Sequence, residues 1–146
     1  LNYLVTGQVP RRWGNDNPTL APYEVLACQG GQVMVSVGNE GQFRKFCGLL
    51  GQPELATDPR FATNSKRVEN RATITPLLAE IFAKRTTREW CDALDAAGVP
   101  SGPINDLRQV FEEPQVVARG MKIELDHAAA GKVPASAASS NMRFIG

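Results

Sequence analysis

Between positions 98 and 105 the chain reads Gly98-Val99-Pro100-Ser101-Gly102-Pro103-Ile104-Asn105, with two glycines and two prolines in eight residues. Proline fixes φ and removes an amide donor, whereas glycine admits φ > 0, so few backbones satisfy this order. The run specifies a joint between elements. Upstream, Thr86-Thr87-Arg88-Glu89 has the form of a capping box and opens a helix carrying Trp90, Cys91, Leu94 and Ala97, which Gly98 closes. Downstream, Asn105 or Asp106 caps a helix with Leu107, Val110 and Phe111, and Pro114 starts another short helix ending at Gly120.

The same reading organises the rest of the chain. Residues 1–6 form the last turn of a helix closed by Gly7, and residues 8–22, with three prolines, form a long loop. Long loops without structure of their own are uncommon in compact domains and often serve function. Tyr23–Cys28 and Gln32–Val37 are rich in β-formers and flank Gln29-Gly30-Gly31, a hairpin signal. Asn39 caps a helix over 40–50 whose apolar face is Phe43, Phe46, Cys47 and Leu50, with Gly51 at its end. Asp58-Pro59-Arg60-Phe61 reads as a turn with the aromatic tucked inward. Asn64 caps a long helix to about Lys84 with Val68, Ile74, Leu77, Leu78, Ile81 and Phe82 as its stripe, and Pro76 kinks or splits it near Thr73–Thr75. Lys122–Leu125 alternates polar and apolar residues as a strand, and the small residues from Ala128 to Ser140 read as a weakly specified connector. The expected fold is α+β: a small, helix-rich domain with a short antiparallel sheet made of the hairpin and the return strand.

A length of 146 residues suffices to bury a core. A net charge of +1 gives no reason to expect nucleic acid or an anionic membrane as partner, and no apolar run approaches the roughly 20 residues needed to span a bilayer. Cys28, Cys47 and Cys91 are odd in number and sit among apolar neighbours, which reads as reduced, buried thiols of a cytoplasmic protein. The chain begins at Leu1 inside an apolar stretch and ends Met142-Arg143-Phe144-Ile145-Gly146 like a strand cut short, so a piece of a longer protein is expected. Residues 1–21 would connect from elsewhere, 22–120 would be the domain, and 121–146 would return.

Catalytic chemistry is hard to assemble from these residues. His127 is the sole histidine, so any Ser-His or Cys-His arrangement would depend on it, and its setting, after a strand and before a connector, reads as a surface or linker histidine rather than a catalytic one. No C-x-x-C, H-x-x-x-H or acidic ligand loop points to a metal. Gly38-Asn39-Glu40-Gly41-Gln42 opens a helix without the spacing of a phosphate cradle, and Glu40 in the first turn opposes an anion. Asp92 with Asp95 and Glu112 with Glu113 read as solvated helix faces. Arg11-Arg12-Trp13 reads either as a phosphate or base contact or as a basic loop.

Taken in order, several stretches resemble the class III CoA-transferases, the CaiB/BaiF family that includes formyl-CoA transferase. They are Thr6-Gly7-Gln8-Val9-Pro10-Arg11-Arg12, Pro22-Tyr23, Val37–Phe43, Asp58–Asn64, and the Gly98–Asn105 joint with Pro114–Met121. The resemblance implies a small α+β domain inserted late into a larger α/β enzyme whose Rossmann-like domain binds CoA and carries a nucleophilic aspartate. It implies acyl and CoA-thioester intermediates on that aspartate, with two subunits interlocked as a homodimer. No aspartate here matches the nucleophile's motif, so no catalytic residue is carried over, and the chain alone is expected to be inactive. The family's mobile glycine-rich loop, which closes over the acyl intermediate, corresponds by position to Gly14, Asn15, Asp16 and Asn17; this chain keeps one glycine there. The alternative is a plain connector. Arg11 and Arg12 become candidate contacts to a CoA phosphate. No covalently bound cofactor or metal is expected, and a coenzyme A thioester with a carboxylic acid would be the full-length protein's substrates. The partners implied are the missing large domain and a second subunit. An α-methylacyl-CoA racemase of the same superfamily, and a non-catalytic assembly or binding domain, remain the other readings.

Overall fold

The computed structural model describes residues 2–7, 9, 12 and 14–137. Two compact units result, Leu1–Ile104 and Asn105–Gly146, so a division falls inside the stretch 22–120.

In the first unit, α1 (Asn2–Thr6) is closed by Gly7, whose φ is 68° and whose amide donates to Tyr3 O at 2.8 Å. Strands β1 (Tyr23–Cys28) and β2 (Gly31–Ser36) pair antiparallel from Tyr23↔Ser36 to Cys28↔Gly31. The turn is thus Gln29-Gly30, with Gly30 alone at positive φ, while Gly31 already belongs to β2. The third strand is β3 (Ser101–Pro103), antiparallel to β2 in the order β1-β2-β3. Pro100 precedes this three-residue strand and Pro103 ends it, which suits an edge position, where a missing amide interrupts no central ladder.

The joint that dominates the sequence therefore does three jobs in succession. Gly98 (φ 68°) ends α5 (Thr87–Ala96), Val99 plugs the core, and Ser101–Pro103 completes the sheet. Ser36 N donates to Pro100 O at 2.9 Å and Ile104 N to Gln32 O at 3.0 Å, which brackets β3 against β2.

The core lies between the inward faces of this sheet and the helices. Leu26, Val33 and Val35 meet Phe43, Phe46 and Cys47 of α2 (Glu40–Leu49), Ile74, Leu78 and Phe82 of α4 (Arg71–Phe82), and Trp90 and Leu94 of α5. Phe82 and Trp90 stack with centroids 4.3 Å apart, and Trp90 Nε1 donates to Phe82 O at 2.9 Å. Caps agree with the sequence: Asn39 accepts from Gln42 N, and Thr86 and Glu89 form the capping box of α5. Phe61 is fully buried as expected. Of the thiols, Cys47 is buried, which pushes it up to about 12, while Cys28 and Cys91 are half-buried.

Some expectations are corrected. The long helix is broken at Asn70, giving α3 (Asn64–Glu69) and α4, and Pro76 lies inside α4. Asn70 Nδ2 donates to Lys66 O at 2.9 Å, beside the Asn70 amide on the same carbonyl, and to Arg60 O at 3.2 Å, so the side chain caps the end of α3 and ties it to the preceding turn. The cap of α3 is Thr63, which accepts from Lys66 N; Asn64 is turned elsewhere. Leu77 is exposed, so the buried stripe narrows to Ile74, Leu78 and Phe82 at a spacing of four.

In the second unit, α6 (Leu107–Glu112) is capped by Asp106 in a capping box with Gln109, and α7 (Pro114–Ala118) begins at its proline. Strand β4 (Lys122–His127) does not join the first sheet. It pairs with β5 (Gly131–Ser136), which occupies part of the stretch expected to be a connector. The turn is what organises it: His127 Nδ1 accepts from Ala129 N at 3.3 Å and Ala130 N at 3.2 Å, and Gly131 supplies φ 70°.

Candidate functional site

The loop flagged by the sequence is held at one end by side chains of α3 and α4. Asn64, Arg67 and Arg71 fall at i, i+3 and i+7, so the helical period turns all three toward the stretch 17–21 despite the break at Asn70. Asn64 Nδ2 donates to Thr19 O at 2.8 Å and its Oδ1 accepts from Ala21 N at 3.1 Å. Arg67 is wholly buried; Nε donates to Ala21 O at 2.6 Å and Nη1 to Phe61 O at 3.0 Å, with the guanidinium 4.2 Å above the Phe43 ring. Arg71 Nη2 donates to the carbonyls of Asn17 and Leu20, the second at 2.8 Å.

Charge is balanced unevenly around these groups. Glu40 Oε1 lies 3.9 Å from Arg67 Nη2 and accepts from Asn64 N at 3.0 Å, and that amide chiefly holds Glu40 below the usual carboxylate range. Burial lowers Arg67 against its ordinary value more than Glu40 restores it. Glu24 occupies an inward position of β1 and is 2% exposed; burial raises its carboxyl above the ordinary range, against the donation from Thr75 Oγ1 at 3.1 Å. The nearby Asp16 raises it further and Arg71 offsets part of the rise.

Asp16, Arg71 and Thr75 line one cavity of about 440 Å³ together with Val68, Glu69 and Pro76. Asp16 and Asn17 are half-buried, whereas Gly14 and Asn15 are exposed. Gly14 has φ 63° with open space where a Cβ would stand. Asn17 Oδ1 accepts from Thr19 N at 2.9 Å and Thr19 Oγ1 at 3.0 Å, and Asn17 N donates to Tyr23 O at 3.2 Å. Arg12 is exposed and does not line the cavity; Arg11 lies outside the described residues. A larger cavity of about 480 Å³ in the second unit is bordered by Arg108, Phe111 and Lys122, with no buried polar group fixing a direction for a ligand. Among the described residues no three His, Cys, Asp or Glu side chains gather to hold a metal, and no helix is long and apolar enough to cross a membrane.

Sequence reasoning missed Glu24, Arg67, Arg71 and Thr75. Two signals were present: a glutamate in the same inward register as Leu26, and the i, i+3, i+7 spacing of Asn64, Arg67 and Arg71.

The helices with a small antiparallel sheet, and the polar clamp on one loop, define an α+β module. Residues 1–144 match the sequence pattern of CoA-transferase family III, and the chain belongs to that family. It is 39% identical over 126 residues to a succinate–glutarate CoA-transferase of Agrobacterium fabrum, covering 86% of this chain and 32% of that protein. It is 36% identical over 132 residues to the human succinyl-CoA:glutarate CoA-transferase, covering 90% of this chain and 30% of that protein. The crystal structure of a CaiB/BaiF family protein from Brucella suis superposes with a TM-score of 0.78 at 43% identity, covering 92% of this chain and 38% of that one. The chain thus spans about a third of the length of these relatives, consistent with a fragment of a larger enzyme.

Proposed function

We propose that this chain is the small domain of a CoA-transferase that moves CoA between carboxylic acids through an aspartyl intermediate, the nucleophile lying outside these residues. The observation that carries the proposal is the family match over residues 1–144 together with relatives that are named as CoA-transferases. Those names favour transfer over the racemase reading. The substrates would be an acyl-CoA thioester and a free acid, and the partners the larger domain and a second, interlocked subunit in the cytoplasm.

Within that reading, the loop Gly14–Asn17 covers the acyl intermediate. An activated acyl group on an enzyme carboxylate is lost to water unless the site is closed, and a loop with a fixed base and a free tip can close it. Asn64, Arg67 and Arg71 supply the base by holding residues 17–21, while Gly14 supplies a tip at positive φ. Arg11 and Arg12 are proposed to meet a CoA phosphate.

The test is the partition of an acyl-CoA between transfer and hydrolysis in the full-length protein. Replacing Gly14 by Val is expected to raise hydrolysis relative to transfer at least severalfold. An unchanged partition would remove the loop from the mechanism.

A further inference from the structure

Arg71 stands at the first position of α4, and its Nη2 is shared by two carbonyl oxygens, those of Asn17 and Leu20. One nitrogen therefore ties both ends of the turn 17–20 to the helix. Asn17 reinforces the turn from within by accepting from Thr19 N and Thr19 Oγ1. Among the described residues no side chain holds Gly14 or Asn15 in this way, and both are exposed.

The choice of acceptor is informative. Carboxylates are close at hand, since Asp16 and Glu69 line the same cavity as Arg71 and Glu24 is buried nearby with its Thr75 bond. A guanidinium normally prefers such partners, because charge-assisted bonds to carboxylates are the strong ones. Among the described residues Arg71 forms no ion pair, and its Nη1 is buried without an acceptor. Its orientation is thus dictated by the loop backbone at the expense of a salt bridge. That is the arrangement of a side chain whose task is to hold a segment of chain in place.

We infer that Arg71 is a positioning residue for the loop Gly14–Asn17, fixing its C-terminal base so that motion is confined to residues 14–16. The inference rests on the reading of this loop as a cover. Arg71 acts through the loop and touches no reacting atom.

The experiment uses the full-length protein with Arg71→Lys and Arg71→Met, and two readouts. The first is amide hydrogen exchange. Lysine also offers one nitrogen with several donors, but on a shorter side chain and as a more strongly hydrated head, so it should restore the anchor only in part. With Arg71→Met the amides of Asn17 and Thr19 should exchange at least tenfold faster, with Arg71→Lys by an intermediate factor, and those of Leu78 and Phe82 in α4 should stay within twofold. Loop amides unchanged in both variants would overturn the inference. So would a parallel rise in α4, which would mark a merely structural role. The second readout is the ratio of hydrolysis to transfer with succinyl-CoA and glutarate, expected to rise in the order wild type, Lys, Met. Faster loop exchange with an unchanged ratio would uphold Arg71 as the anchor and refute the loop as a cover, so the two failures are distinguishable.

Discussion

Replacing Arg67 by Met isolates what a buried guanidinium contributes to this fold. The substitution keeps an unbranched apolar stem, shortens the side chain by the guanidinium head, removes its charge, and strips the two donors that bond the backbone. Ala21 O and Phe61 O, on residues with no solvent exposure, lose donors at 2.6 and 3.0 Å. Hydrogen bonds from charged groups are worth about 1.5–3 kcal/mol each, and a carbonyl left buried without a partner costs about 1–3 kcal/mol. The contact over Phe43 at 4.2 Å adds about 1 kcal/mol. Against this, methionine removes the cost of burying a charge, which the lowered pKa of Arg67 reflects. Because both acceptors are backbone atoms that cannot leave the core, the loss prevails, by roughly 3 kcal/mol. At about 4 °C per kcal/mol for a unit of this size, Tm should fall by about 12 °C. The assay is thermal unfolding followed by far-ultraviolet circular dichroism, with tryptophan fluorescence, to which the buried Trp90 contributes, to confirm a single transition. A fall of less than about 2 °C would refute the reasoning, because it would mean that the orphaned carbonyls find other donors at no cost.

Other consequences are local. Glu24→Gln should stabilise the fold at pH 7: the folded-state pKa of Glu24 is raised, so its charged form burdens the folded protein at neutral pH, and that burden is relieved as pH falls through the folded value. The Tm difference between variant and wild type should therefore shrink from pH 7 toward pH 4.5; a constant difference would contradict the shift. Thr86→Ala removes the acceptor for Glu89 N in the capping box and should cost about 1 kcal/mol in urea unfolding. Gly31→Ala would place a Cβ 2.9 Å from Thr87 Oγ1, a hydroxyl already 3.2 Å from Cys28 Sγ, and should cost about 1 kcal/mol, recovered in part by adding Thr87→Ala.

Much of this architecture was legible because it is local. The β1–β2 hairpin, the caps of α2 and α5 and the glycine stops at Gly51 and Gly98 depend on neighbours within a few residues. Strand β3 was not legible, since three residues that follow one proline and end on another become a strand only when β2 offers an edge. Strand β5 was hidden by its small residues, which gave no apolar bulk to read; its pairing depends on the turn at His127. The break at Asn70 was obscured by Pro76, the more conspicuous helix breaker. At the candidate site, the loop was found by resemblance, but its support was not: Arg67 and Arg71 look like ordinary surface cations until the acceptors, backbone carbonyls some fifty positions earlier, are brought beneath them.

The most direct test of the proposed role compares the full-length protein with purified residues 1–146 in one assay, following CoA transfer from succinyl-CoA to glutarate. On that proposal the full-length protein forms glutaryl-CoA while the 146-residue chain forms none, because the proposed nucleophile is placed outside these residues. Turnover by the chain alone, or exchange of the α proton without transfer by the full-length protein, would contradict it.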